Sequence, residues 1–310
     1  MRAYGAFTSR PGRPDHDRGF QVIEGLFVER ATDRHVRLRR CLLRDGRQTL
    51  ATPTGFNRPF RLGAAGELPQ RALARLRTQG AVALHSDEPL PARRFIALGA
   101  RLGRAIVETD PAVLPYVENE VILNLVSRHP ETDNIAIQPF ADNFLSLHSE
   151  SSGQPLPRQP RYIVLMCREP GDRRARTVLV PMETVAARLS DRQLTLLSQT
   201  RYQQAGAPSA ILRRVGNRPV FSFRDFMAQP FAWRYQAADG AGADTVDAAI
   251  RALLAAMYAP DAAVGVRWQR GLLVVIDNTF FFHGRTAGPA SATHPTTPRR
   301  HLQRLRIAEV

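Results

Sequence analysis

Lysine is absent from this 310-residue chain: all 43 of its basic side chains are arginine. Arginine at this level, beside abundant alanine, proline and glycine, reads as the imprint of a GC-rich genome. Cysteine is nearly absent too. Cys41 and Cys167 do not make a disulfide framework, and a reducing, cytoplasmic setting is the expectation. Long apolar runs are missing, since arginine or polar residues interrupt every candidate before it reaches the length of a membrane span. The first ten residues carry no apolar core of the kind a secretory signal needs.

Acidic residues are the minority charge, 28 against 43, leaving a formal net charge of +15. Such a balance suits nucleic acid or another acidic partner. The arginines are nevertheless scattered among acids and form no long run. Aromatics do not repeat along a basic strand as in RNA-binding sheets, which argues against nucleic acid. An acidic protein partner stays open.

Residues 1–20 read as a flexible arm and residues 21–310 as one domain, within which 21–66 is a region of short strands and 67–310 the core. Leu68–Gln79 reads as a helix with Leu73 and Leu76 on one face and Gly80 as its stop. Ala81–Leu84 is a short buried strand, and Pro91–Val107 a longer helix carrying Phe95, Leu98, Leu102 and Ile106 at the helical period. From residue 120 strands dominate: Val121–Ser127, Phe144–Glu150, Tyr162–Cys167, Thr177–Val180, Val220–Phe223, Phe231–Tyr235, Leu272–Asp277 and Leu302–Ile307. Two helices interrupt them, one opening on a capping box at Ser190–Gln193, the other spanning Thr245–Tyr258. The expected fold is mainly β with helical insertions, a sandwich or barrel.

Within the strand Phe144–Glu150, His148 and Glu150 stand two apart and so face the same side. Far downstream, His283 follows the apolar stretch Gly271–Asp277. Two histidines and one carboxylate are a ligand set for non-haem Fe(II) that leaves coordination positions open. Eight histidines guarantee chance pairs, and His85 with Asp87 is one. That pair lies between a strand and a helix, where Ser86 or Asp87 serves as a cap.

Five elements then occur in order: Leu147–Glu150, Thr177 within Thr177–Val180, Asp277 with Asn278, His283–Arg285, and Arg300–Arg304. In this the chain resembles the Fe(II)/2-oxoglutarate dioxygenases of the clavaminate synthase-like, taurine dioxygenase-related superfamily, over about residues 65–310. The resemblance implies a double-stranded β-helix (a jelly roll, cupin-like), with His148, Glu150 and His283 as iron ligands. It implies that Arg300 and Thr177 bind the distal carboxylate of 2-oxoglutarate. A guanidinium offers that group a planar two-pronged match. Arg299 exchanges roles with Arg300 if the strand begins one residue earlier, because residues 287–298 form an unusually long connection. Arg304 has two roles open, binding a substrate carboxylate or making a structural salt bridge.

The implied reaction consumes O2 and 2-oxoglutarate, releases succinate and CO2, and hydroxylates an unactivated C–H bond of an amino acid or its derivative. Desaturation or cyclisation would use the same ligands. The strand holding Trp233 and Tyr235 resembles one that lines the substrate pocket. It lacks the acidic residues that arginine-oxidising members carry there, with Asp239 some way beyond. A neutral or acidic amino acid is therefore expected, free or tethered to an acidic carrier protein. Three readings compete: a non-enzymatic β-barrel binding module, a nucleic-acid-associated protein, and a zinc hydrolase on the same ligands, which would leave Thr177 and Arg300 without a purpose.

Overall fold

The computed structural model describes residues 21–45, 49–63, 67–127, 129, 132, 137–171, 175–204, 206–237, 240–288 and 299–309. The arm at 1–20, Asp239 and most of the connection 287–298 lie outside the described residues.

Two β-sheets carry the molecule. The larger runs in the order Phe60–Arg61, Ala81–His85, Leu272–Asp277, Tyr162–Glu169, His301–Ala308, Ile122–Val126, Val117–Glu118, with Arg104–Ala105 also paired to His301–Ala308. All its pairings are antiparallel except that of Phe60–Arg61 with Ala81–His85. The smaller sheet runs Val264–Val266, Thr177–Pro181, Phe281–Arg285, Leu145–His148.

Alternation along the central strands assigns the two faces of the larger sheet. Val82, Leu84, Val164, Met166, Leu273, Val275, Leu305 and Ile307 pack under the helices Gln70–Gln79 and Ala92–Ala100, through Ala72, Leu76, Phe95 and Leu98. The intervening residues Ala83, Ile163, Leu165, Val274, Ile276 and Leu302 join Leu179 and Val266 of the smaller sheet in a second core. Arg304 and Arg306, two and four residues beyond Leu302, continue that inner face.

A third sheet of three strands, ordered Gln21–Phe27, Phe231–Ala237, Thr200–Tyr202, packs with the helix Ala243–Met257 in the largest core. None of the described helices is long and apolar enough to cross a membrane.

Most expected elements form, some with shifted ends. The helix from Leu68 begins at Gln70 and stops at Gly80, whose φ of 72° is the left-handed cap that glycine favours. The helix from Pro91 ends at Ala100, well short of Val107. The cause is tertiary: Gly103, at φ 153°, passes so close to Ala308 that a Cβ would lie 2.1 Å from its carbonyl oxygen. The chain then reverses, and Arg104–Ala105 pairs with the end of His301–Ala308. Residues 21–66 also depart from the expected run of strands, since Arg34–Arg39 is helical and winds into a wider π turn over Arg40–Arg44. His35, Arg39, Leu42 and Leu43 are buried at helical rather than strand spacing.

Candidate metal centre

His148 and His283 are direct cross-strand partners in the smaller sheet, so their side chains leave the same face together. Their ring centroids are 4.2 Å apart. The strand carrying His283, Phe281–Arg285, is absent from the sequence-based expectation because it directly follows another strand and a short turn.

Glu150 reaches the cluster differently from what strand alternation predicts. The strand ends at His148, and Glu150 lies in the turn beyond it. Ser151, with φ 56°, redirects the chain at once. Asn278 takes over the task of a neighbouring strand. Its Oδ1 accepts from the Glu150 amide at 2.8 Å, and its Nδ2 donates to the Glu150 carbonyl at 3.1 Å and to the Pro160 carbonyl at 3.0 Å.

The result is a buried three-residue group whose ligand atoms all lie within 4.8 Å of one another. Glu150 Oε2 stands 3.8 Å from His148 Nε2 and 3.5 Å from His283 Nε2. His148 Nδ1 donates to the Ser146 carbonyl at 2.8 Å, which leaves Nε2 as the lone-pair nitrogen. Burial, with the charges of His283 and Arg224, holds His148 well below its ordinary pKa. Burial alone would raise Glu150, but the Arg304 guanidinium paired with it outweighs that and holds its carboxyl well below the usual range. A neutral imidazole and an ionised carboxylate are what a divalent cation requires, so the residues present fit the metal.

Around this group lies a dense polar shell. Arg304 Nη1 donates to Glu150 Oε1 at 2.9 Å, and its Nη2 to Glu108 Oε1 at 2.9 Å. Arg306 binds both oxygens of Glu108, and its Nη1 donates to Ser151 Oγ at 3.2 Å. Arg224 pairs across an isolated bridge with His148. On the far side, Tyr258 OH accepts from the Leu147 amide at 3.0 Å and donates to Asp225 Oδ2 at 2.6 Å. Asp225 is in turn held by Arg39, whose other partner is Glu29. Burial and the Asp225 charge push the Tyr258 phenol up, so it remains a donor. The strand bearing His148 is thus clamped on both edges.

Thr177 pairs in register with Arg285, and its Oγ1 accepts from Trp268 Nε1 at 3.0 Å. Arg285 is buried and donates to the carbonyls of Gln138, Pro139, Ala141 and Asn143. Burial, with the Arg300 charge, drives its pKa well down. Arg300 is buried where Arg299 is exposed, and it reaches Ser127 through both its carbonyl and its side chain. Trp233 and Tyr235, in contrast, are each 1% exposed in the three-stranded sheet and its helix. The Trp233 ring lies on Gly25, where a Cβ would come within 2.2 Å. The structure puts both in that packing rather than in the metal-binding cluster.

Sequence reading overlooked Glu108 and Arg306, and it gave Asn278 no role. Glu108 had no signal, being one residue beyond an expected helix. Because Asn278 grips the Glu150 peptide from both sides, Asn278→Ala is expected to cost about 1–3 kcal/mol of stability. Metal affinity should fall by about 10–100-fold. Thermal melts and metal titration check the two effects separately.

A search among curated proteins finds no significant match. Solved structures share the fold. An asparagine oxygenase in complex with Fe(II), hydroxyasparagine and succinate superposes with a TM-score of 0.56 at 19% identity, covering 77% of this chain and 78% of that one. PvcB from Pseudomonas aeruginosa gives 0.55 at 23% identity, covering 83% and 89%. The non-heme iron oxygenase OrfP in complex with Fe and α-ketoglutaric acid gives 0.55 at 19%, covering 79% and 82%. The family described as taurine catabolism dioxygenase TauD, TfdA matches residues 48–306, most of the chain and all of the cluster, and the protein belongs to that family.

Proposed function

We propose that the chain is an Fe(II)- and 2-oxoglutarate-dependent oxygenase that hydroxylates an amino acid or a close derivative. The observation that carries this reading is the buried cluster of His148, Glu150 and His283 with its ligand atoms converging, in a chain of the TauD, TfdA family. The two facing sheets are read as a double-stranded β-helix with the cluster between two strands of the smaller sheet. With two cysteines in 310 residues, a reducing cytoplasmic setting is part of the proposal.

Bound iron would supply the oxidising chemistry, with one oxygen atom of O2 going to the substrate and the other into the succinate formed as 2-oxoglutarate loses CO2. The chain's own residues bind and orient. His148, Glu150 and His283 hold the metal. Arg300 and Thr177 hold the distal carboxylate of the cosubstrate, and both are buried in the described structure. Of the two roles open to Arg304, its ion pairs with Glu150 and Glu108 favour that of a counter-charge within the centre. Trp233 and Tyr235 are given a packing role.

Three arginines, Arg224, Arg304 and Arg306, surround a centre with two carboxylates, Glu150 and Glu108. That balance repels a guanidinium substrate and suits an acidic or neutral amino acid. The net charge of +15 favours a second form of the same substrate, an aminoacyl group on an acidic carrier protein.

Incubation of Fe(II)-loaded protein with 2-oxoglutarate, O2 and a panel of amino acids, free and carrier-bound, tests this reading. Succinate should form in step with a product heavier by one oxygen atom, and free arginine should be a poor substrate. Succinate release that no member of the panel stimulates would count against the amino-acid assignment.

A further inference from the structure

We propose that Glu108 is a positioning residue of the metal centre: by sharing the Arg304 guanidinium, it leaves one oxygen of Glu150 to the metal. The inference rests on the metal site proposed above and concerns a residue that touches no metal ligand itself.

The two oxygens of Glu150 have different partners. Oε2 faces both histidine Nε2 atoms, at 3.8 and 3.5 Å, whereas Oε1 accepts from Arg304 Nη1 at 2.9 Å. An arginine beside a carboxylate prefers the two-pronged arrangement in which both oxygens are taken. Here the second prong points elsewhere, since Arg304 Nη2 donates to Glu108 Oε1 at 2.9 Å. Glu108 is 4% exposed and is fixed in turn by Arg306, through Nε at 3.0 Å and Nη2 at 2.7 Å. Arg306 then reaches Ser151, the residue after Glu150, so the chain of ion pairs closes on the same turn.

Backbone placement explains why Glu108 is there. The reversal at Gly103 pairs Arg104–Ala105 with the end of His301–Ala308. The Ile106 amide then donates to the Arg306 carbonyl, and the Glu108 amide to the Glu120 carbonyl. Those bonds hold the Glu108 carboxylate against the inner-face arginines. Without its charge, Arg304 keeps Glu150 as its one close anion and closes on both oxygens, in direct competition with the metal.

Mn(II) binding to the purified protein, followed by electron paramagnetic resonance, provides the test. Glu108→Gln keeps the volume and removes the charge, and Mn(II) affinity should fall by about 10–100-fold. Adding Arg304→Met to Glu108→Gln removes the competitor and should restore affinity to within a few-fold of the wild type. Glu108→Asp, a second route should Glu108→Gln fail to fold, keeps the charge and should hold Mn(II) affinity within a few-fold of the wild type. A merely structural Glu108 gives a lower melting temperature with unchanged affinity, or a loss that the double variant does not recover, and either overturns the proposal. A folded Glu108→Asp whose affinity falls tenfold or more does so as well. Failure of the wild type to bind Mn(II) would instead overturn the metal site, and this inference with it.

Discussion

Replacing Glu150 or His283 by alanine should weaken Fe(II) binding by more than about 100-fold, beyond the range set by changes outside the ligand shell. Each residue supplies one of three converging donors, and the remaining two no longer enclose a cation. The fold should survive. His283 lies in a strand held on both sides, by Thr177–Pro181 and by Leu145–His148. Glu150 lies in a turn whose peptide Asn278 secures independently of the carboxylate. Glu150→Ala does leave Arg304 with Glu108 as its remaining anion, so its melting temperature should fall further than that of His283→Ala. Anaerobic titration with Fe(II), beside a thermal melt of each variant, separates lost binding from lost structure. Metal affinity of the wild-type order in folded Glu150→Ala would show that the carboxylate is no ligand.

The second large effect concerns the cosubstrate. Arg300→Met should weaken 2-oxoglutarate binding by about 2–5 kcal/mol, the usual result of removing one member of a buried charge pair. That corresponds to roughly 30-fold or more in Kd. Fe(II) affinity should be retained, because Arg300 contributes no ligand atom to the cluster. Arg300→Lys should recover part of the loss, since it keeps the charge and forfeits the planar fork. Arg299→Met should behave as the wild type, its side chain being exposed where Arg300 is buried. Calorimetric titration of metal-loaded protein with 2-oxoglutarate reads all three. A weak Arg299→Met with a normal Arg300→Met would move the assignment by one residue.

How much of this was legible in the sequence depends on whether local pattern or tertiary contact decided the outcome. Strands such as Tyr162–Glu169 and Leu272–Asp277 are apolar runs buried on both faces, and runs of that kind announce themselves. The capping box at Ser190 formed as written, with Gln193 answering it. The helix after Pro91 failed to reach Val107 because Gly103 and the edge of His301–Ala308 offered its continuation a different partner. Helical periodicity was still present there, and tertiary pairing overrode it.

The convergence of His148, Glu150 and His283 was legible, but for a reason that was only half right. His148 and Glu150 were expected to share a strand face, yet the strand stops between them and Asn278 draws the turn inward. The choice between Arg299 and Arg300 rested on register, and burial supports Arg300. Trp233 is a case that only tertiary packing decides. Its strand pairs with Gln21–Phe27, where a Cβ at Gly25 would lie 2.2 Å from the indole. Glu108 carries no signal in the sequence, because its partners are two arginines about 200 residues away.

On the reading proposed above, these buried side chains assemble a centre for iron and its cosubstrate together. Anaerobic addition of Fe(II) and then 2-oxoglutarate to the folded protein, watched in the visible spectrum, addresses it most directly. A weak charge-transfer band should appear only when both are present, and it should be missing in Glu150→Ala and His283→Ala. A well-folded wild-type protein that gives no band under saturating Fe(II) and 2-oxoglutarate would contradict the account.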